Sequence, residues 1–375
     1  MATLNYNVQV DMSTPQFWYG DVYLANATNI IIDAGSYRGI YSGSFKYSKT
    51  GAVSGKLNSY EQFDNGVLQG TGQNLNFNAA TAYNYIQILG DAQAFTELLL
   101  KGHDTVYGSG YSDTLLGYKG KDTLYGYDGN DLIYGGVGND TIYGGDDNDY
   151  LLGEAGNDLI YAGSGVNLIL GGDGDDKIYG EDGVNYIDGG VGKDTIYGGD
   201  GYDDLVGGAG NDLIYAGSGE NYIYGGDGND KIYGEDGENW LGGGNGNDTI
   251  IGGSLGNYLV GGLGNDTITG GSNPDLFVFS DAASSSNKDT IKSFQDGSDV
   301  IFLDPFIFTN LSSIAEENIV NGKSALDPND YLIFFKSTLY YDNDGSGPQK
   351  MQPIATFQGI SSLHVDDITI TDLAF

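Results

Sequence analysis

The chain has no cysteine, only two histidines and six prolines, and just 15 lysines and arginines among 375 residues. Without cysteine there is neither a disulfide framework nor a thiolate metal site. The two histidines, His103 and His364, belong to no H-E-x-x-H pattern, which excludes zincin chemistry. Acidic residues number 52, so the formal charge is −37. A charge of that sign and size excludes unaided binding to nucleic acid or an anionic lipid surface. No run of about 18 apolar residues occurs, so no membrane-spanning helix is expected. The opening "MATLNYNVQVDMSTPQFWYG" has neither a basic n-region nor an apolar core and does not read as a secretory signal peptide.

What is abundant is glycine, at 64 residues, and tyrosine, at 30. Such bias calls for a search for repeats. A nine-residue register runs unbroken from Leu99 to Val278, which is 180 residues or twenty units of G-G-x-G-x-D-x-U-x, with U usually aliphatic. Position eight is always apolar, from Val106, Leu115 and Leu124 through to Phe277. Each unit is therefore a glycine turn and a short strand with one residue pointing inward. A unit of this kind cannot bury its apolar face alone, so neighbours must stack. Two units make a coil of 18 residues, and the fold class expected is a right-handed parallel β-roll of about ten coils. Residues 153–206 match 207–260 closely, so six units, or three whole coils, have been copied.

The turn carries the chemistry. Glycines at positions one, two and four are expected to take positive φ and to crowd backbone carbonyls together. On alternate units these include Gly135, Gly138, Gly171, Gly174, Gly189, Gly192, Gly207, Gly210, Gly225, Gly228, Gly243 and Gly246. Position six adds a carboxylate where those carbonyls converge. An all-oxygen environment with adaptable ligands favours Ca²⁺ over Mg²⁺. Carboxylates stacked about 5 Å apart, at the strand spacing, would otherwise repel.

Odd and even units fall on opposite edges of the coil. The odd edge reads Asp104, Asp122, Asp140, Asp158, Asp176, Asp194, Asp212, Asp230, Asp248 and Asp266. The even edge reads Asp113, Asp131, Asp149, Asn167, Asn185, Asp203, Asn221, Asn239, Asn257 and Asp275, and its glycines give way to Glu181, Glu235 and Leu255. The first edge is expected to be a continuous Ca²⁺ ladder. The second is expected to be interrupted, with amides hydrogen-bonded from coil to coil and fewer ions.

The nonapeptide resembles the calcium-binding repeat of the RTX (repeats-in-toxin) proteins. That resemblance implies Ca²⁺ between successive turns and export by a type I secretion system of a Gram-negative bacterium, hence an extracellular or cell-surface location. The segment "PDLFVFSDAASSSNKDTIKSFQDGSDVIFL" resembles the one that closes many RTX rolls, and "DDITITDLAF" resembles their export tails. Residues 70–107 resemble the lead-in of small bacterial RTX proteins.

Three domains are expected. Residues 1–98 form an α/β cap, strand-like at first and then helical from an Asn78 cap through "AATAYNYIQIL" and "AQAFTELLL". Residues 99–280 form the roll, and residues 281–375 a β-rich cap containing "DVIFL", "YLIFF" and "PIATF". "YYDNDGSG" sets Asp342, Asp344 and Ser346 like half of an EF-hand loop, but Pro353 stands where its closing glutamate belongs, so at most a weak extra Ca²⁺ site is expected there. "GGSLG" matches a hydrolase pattern only because it falls in the repeat register.

Two aromatic strips are expected on the outside. Position nine of the odd units gives Tyr107, Tyr125, Tyr143, Tyr161, Tyr179, Tyr197, Tyr215 and Tyr233. The even face gives Leu168, Tyr186, Tyr222, Tyr224, Trp240 and Tyr258 among others. Cross-strand packing explains the first, and a glycan or protein partner is the sharper alternative for either. A non-enzymatic, secreted calcium-binding protein acting at a surface or in a matrix is the function these features favour. The alternatives are an enzyme or adhesin working through residues 1–98 or through the tyrosine-rich face, although residues 1–98 hold no histidine and no evident acid/base pair.

Overall fold

In a computed structural model, the backbone is described for residues 21–26, 29–34, 37–47, 53–64 and 67–78. Side chains are described as well for residues 102–108, 110–311, 319–322, 331–343 and 351–370. The helices expected after Asn78, together with Asp344, Ser346 and the last five residues, lie outside the described residues. The chain is mainly β and divides into two compact units, Met1–Asp173 and Gly174–Phe375. Parallel β-solenoid runs through residues 105–278 in about ten coils.

The first unit opens with an antiparallel meander. Strands Asp21–Asn26, Asn29–Ala34, Tyr37–Tyr47, Val53–Asp64 and Val67–Asn78 each pair with the next. The last of them pairs antiparallel with the first repeat strand, Thr105–Tyr107, through Thr71↔Tyr107 and Gly72↔Val106. From there pairing is parallel. Val106 faces Leu124, Ile142 faces Ile160, and on the other edge Leu151 faces Ile169.

The second unit repeats the pattern at the same offset, with Ile178↔Ile196, Ile214↔Ile232 and Ile250↔Ile268 on one side. On the other side Leu205↔Ile223 and Leu241↔Leu259 keep the register. The position-eight residues are the core: Leu124, Ile133, Ile160, Ile178, Ile214, Ile232 and Leu259 are 0% exposed. One buried aliphatic per nine residues, at about 1.5–3 kcal/mol each, is a thin core for a chain of this charge.

The stack outlasts the repeat. Thr267 pairs in parallel with Thr290 and Leu276 with Val300, and further on Thr290 pairs with Thr356 and Ile301 with Ile368. The segment after 280 thus continues the coil geometry with a longer turn before it adds antiparallel strands Leu332–Phe335, Thr338–Tyr341 and Gln352–Phe357. Phe294, Phe334 and Phe357 pack edge-to-face there, replacing the aliphatic file with a wider core.

Candidate metal centre

The unit Gly207–Tyr215 shows why the turn needs its glycines. Gly208 and Gly210 have φ of +105° and +155°, the left-handed region that excludes most side chains. Gly207 at position one does not, which corrects the expectation of positive φ there. Its role is closeness: a Cβ on Gly207 would lie 2.6 Å from Asp212 Oδ2 and 2.5 Å from the Gly225 carbonyl of the next coil. Gly135 has the same surroundings, Asp140 Oδ2 and the Gly153 carbonyl, each at 2.9 Å. Glu181 and Glu235 at position two keep the left-handed turn, with φ of 65° and 53°, so the even edge retains its backbone although glycine is lost.

The position-six carboxylates are buried, from 0% exposed at Asp122 and Asp203 to 6% at Asp104. Their two oxygens have different fates. One accepts the backbone N–H of the preceding coil: Asp104 N–H donates to Asp122 Oδ1 at 2.7 Å, Asp140 to Asp158 at 2.6 Å, Asp194 to Asp212 at 2.8 Å and Asp248 to Asp266 at 2.7 Å. The other oxygen, Oδ2 of Asp104, Asp122, Asp131, Asp140, Asp149, Asp194, Asp203, Asp212, Asp230, Asp248 and Asp266, is buried with no hydrogen-bond partner among the described residues. An orphaned buried carboxylate oxygen is costly, and a file of them points to a missing positive charge. Oδ2 of Asp122, Asp140, Asp212 and Asp230, for instance, sits in the hollow that a position-one Cβ would fill, beside a carbonyl of the next coil.

The cost of burial shows in the acidities of these carboxylates. Burial, opposed by the backbone N–H bond and reinforced by neighbouring carboxylates, pushes Asp122, Asp149, Asp194 and Asp248 up to about 7. Asp131, Asp203 and Asp212 rise to about 6, burial again being the main cause. Among the described residues no three carboxylates or histidines converge on one point. Any cation here must draw most of its ligands from backbone carbonyls, which is the environment a hard, oxygen-seeking divalent ion accepts. The residues fit Ca²⁺.

The structure places the other candidate residues as follows. Asn167, Asn185, Asn221, Asn239 and Asn257 lie in the same buried register, at most 5% exposed. Asp275 differs from the other carboxylates, since its Oδ2 accepts the Gly271 N–H at 2.5 Å. Asp342 is fully buried and its N–H donates to the Tyr331 carbonyl at 2.8 Å.

Two features were not read from the sequence. The carboxylate ladders run past the last nonapeptide, because Asp266 N–H donates to Asp289 Oδ1 and Asp275 N–H to Asp299 Oδ1, each at 3.0 Å. A second ladder runs at position five in the opposite sense: Asn229 N–H donates back to Asn211 Oδ1 and Asn247 N–H to Asn229 Oδ1, each at 2.7 Å. His103 takes part in it, accepting the Lys121 N–H at Nδ1, 2.8 Å away. The recurrent "GND" was its signal.

The odd tyrosines stack as expected, with ring centroids 4.8 Å apart at Tyr125–Tyr143 and Tyr179–Tyr197 and planes within 6°. Rings stacked on both sides offer only edges to solvent, so an inner ring has no face left for a sugar. On the even face Trp240 lies between Tyr222 and Tyr258 at 5.3 and 4.0 Å.

Comparison with known proteins agrees with this geometry. The family model of the RTX calcium-binding nonapeptide repeat (4 copies) matches residues 101–133, 125–160, 161–196, 188–223, 197–231, 215–250 and 251–277. No curated protein matches the chain. Among 23 matching chains of solved structures is the extracellular lipase LipA from Serratia marcescens, 20% identical over 55% of this chain and 40% of that one, with a TM-score of 0.26. The present chain thus spans less than half the length of that structure. Residues 101–277 are therefore RTX calcium-binding nonapeptide repeats.

Proposed function

We propose that this is a secreted, non-enzymatic protein whose roll folds when it binds Ca²⁺ outside the cell, to serve as a surface or matrix component. The file of buried Oδ2 atoms without partners carries the reading. Each ion would be held by a position-six carboxylate and by turn carbonyls of its own and the neighbouring coil. Where Ca²⁺ is scarce, self-repulsion from a charge of −37 outweighs the thin core. Where it is plentiful, binding free energy becomes folding free energy. Type I export is the route that suits a chain kept unfolded inside the cell.

Circular dichroism during a Ca²⁺ titration tests the folding step. A chain mostly disordered in EGTA at pH 7.5 should become β-rich at millimolar Ca²⁺, and native-like spectra in excess EGTA would contradict it. Export is tested separately. Deleting residues from Asp366 onward should trap the protein in the producing cell while leaving most of the Ca²⁺-induced dichroism change. Undiminished secretion of the truncated chain would remove the tail from the proposal.

A further inference from the structure

We infer that Asn221, Asn239 and Asn257 act as built-in cations: their amide nitrogens take turn carbonyls that Ca²⁺ takes on the opposite edge, so this stretch closes without metal. The inference rests on the proposed Ca²⁺ ladder and deepens it by naming the residues that decide where ions do not go.

The orientation of each amide is settled by its surroundings. Asp203 N–H donates to Asn221 Oδ1 at 2.9 Å, Asn221 N–H to Asn239 Oδ1 at 3.0 Å and Asn239 N–H to Asn257 Oδ1 at 3.2 Å. The Oδ1 therefore does what an aspartate Oδ1 does on the other edge. Reversing the amide would set an NH₂ against a backbone N–H. Nδ2 is left at the place of the orphaned aspartate oxygen.

There it finds acceptors. Asn239 Nδ2 donates to the Gly234 carbonyl at 2.9 Å and reaches the Gly237 carbonyl at 3.4 Å, positions one and four of its own turn. Asn257 Nδ2 donates to the Leu255 carbonyl at 2.6 Å and to Asp275 Oδ1 at 3.0 Å. Asn221 Nδ2 reaches the Gly219 carbonyl, again position four, at 3.4 Å. Where aspartate leaves an acceptor facing acceptors, asparagine supplies a donor facing acceptors. That exchange removes both the repulsion between coils and the need for an ion to bridge them. It goes further than an amide ladder between coils, because the amide also ties down its own turn. It also places an N–H₂ where a cation would have to sit, so Ca²⁺ is excluded as well as unnecessary.

The test uses the full-length protein loaded with Ca²⁺ and compares bound ions per chain in wild type, N239D and D230N by equilibrium dialysis and atomic emission. Wild type should bind Ca²⁺, D230N should bind less, and N239D should bind about one ion more than wild type, since it restores a carboxylate to a hollow already formed. If wild type binds no Ca²⁺ or D230N loses none, the underlying ladder reading fails. If D230N loses ions but N239D gains none, the ladder stands and the present inference is overturned. Should N239D not fold, the side-chain amide protons of Asn239 in ¹⁵N-labelled wild type decide the matter. Slow exchange with solvent in the Ca²⁺-loaded protein is expected, and exchange at the rate of an exposed amide would overturn the assignment.

Discussion

In EGTA at pH 5, the chain should become β-rich without any calcium, although at pH 7.5 in the same chelator it should be disordered. The sign follows from the acidities of the position-six carboxylates. Asp122, Asp149, Asp194 and Asp248 stand at about 7 in the fold against 3.8 for a free side chain, with burial as the main cause. The folded form therefore holds more protons than the unfolded one between about pH 4 and 7. Stability that depends on these groups is fully present below their unfolded value and is lost as pH rises through about 7. Protons, in effect, do weakly what Ca²⁺ does strongly: they remove the charge from an orphaned oxygen. Between pH 7.5 and 6 the unfolded carboxylates and the Ca²⁺-loaded ones are both charged, so only calcium-free folding takes up protons, and the Ca²⁺ concentration at the folding midpoint should fall as pH falls from 7.5 to 6. Far-UV dichroism across a pH series at fixed EGTA checks the first statement, and Ca²⁺ titrations at each pH check the second. A metal-free chain equally unfolded at pH 5 and 7.5 would show that the position-six carboxylates do not control the fold.

Much of this was legible before any coordinates. The inward file at position eight is a matter of period: an apolar residue every nine, with Leu124, Ile142 and Ile160 at an 18-residue step, fixes the coil length and the parallel register. Asp212 and Asp230 as site residues were legible because the stacking follows from that period. Periodicity could not separate the two oxygens of one carboxylate. That split depends on where the preceding coil's N–H points, and it distinguishes a hydrogen-bonded ladder from a metal site. The role of Gly207 was misjudged for a related reason. Positive φ and close approach both select glycine, and sequence alone cannot tell a strained dihedral from a missing Cβ. Asp289 and Asp299 were hidden by arithmetic: they stand 23 and 24 residues after their partners Asp266 and Asp275, so the 18-residue register breaks while the hydrogen bonds continue. The Asn211, Asn229 and Asn247 ladder was in plain view, but an exposed polar residue in a turn has many ordinary explanations.

The paired substitution D212N/D230N should behave oppositely with and without calcium. In millimolar Ca²⁺ it should lower the urea midpoint far more than E238Q, an exposed neighbouring change that removes charge but no position-six oxygen. Asp212 Oδ2 and Asp230 Oδ2 are both buried and unpartnered, and each lies in a hollow shared with the next coil's carbonyl, at Gly225 and Gly243. A carboxylate placed between coils serves the ions above and below it, so each loss leaves neighbouring cations under-coordinated. With Ca²⁺ at a hundred times its dissociation constant, each site lost costs about 2.7 kcal/mol by mass action, and two such sites cost about 5. In EGTA the sign should reverse. Asp212 N–H already donates to Asp230 Oδ1 at 2.8 Å, a bond that an asparagine Oδ1 accepts equally well. The new Nδ2 would meet turn carbonyls that now face a repelling oxygen, and two negative charges leave a crowded file. The doubly substituted chain should therefore need less acid to fold without metal than wild type does. Urea denaturation in Ca²⁺ and acid titration in EGTA measure the two signs independently. Equal losses for D212N/D230N and E238Q in Ca²⁺ would mean that overall charge, not ligation at position six, governs the transition. A loss of acid-induced folding in EGTA would mean that the carboxylates contribute bonds that their amides cannot replace.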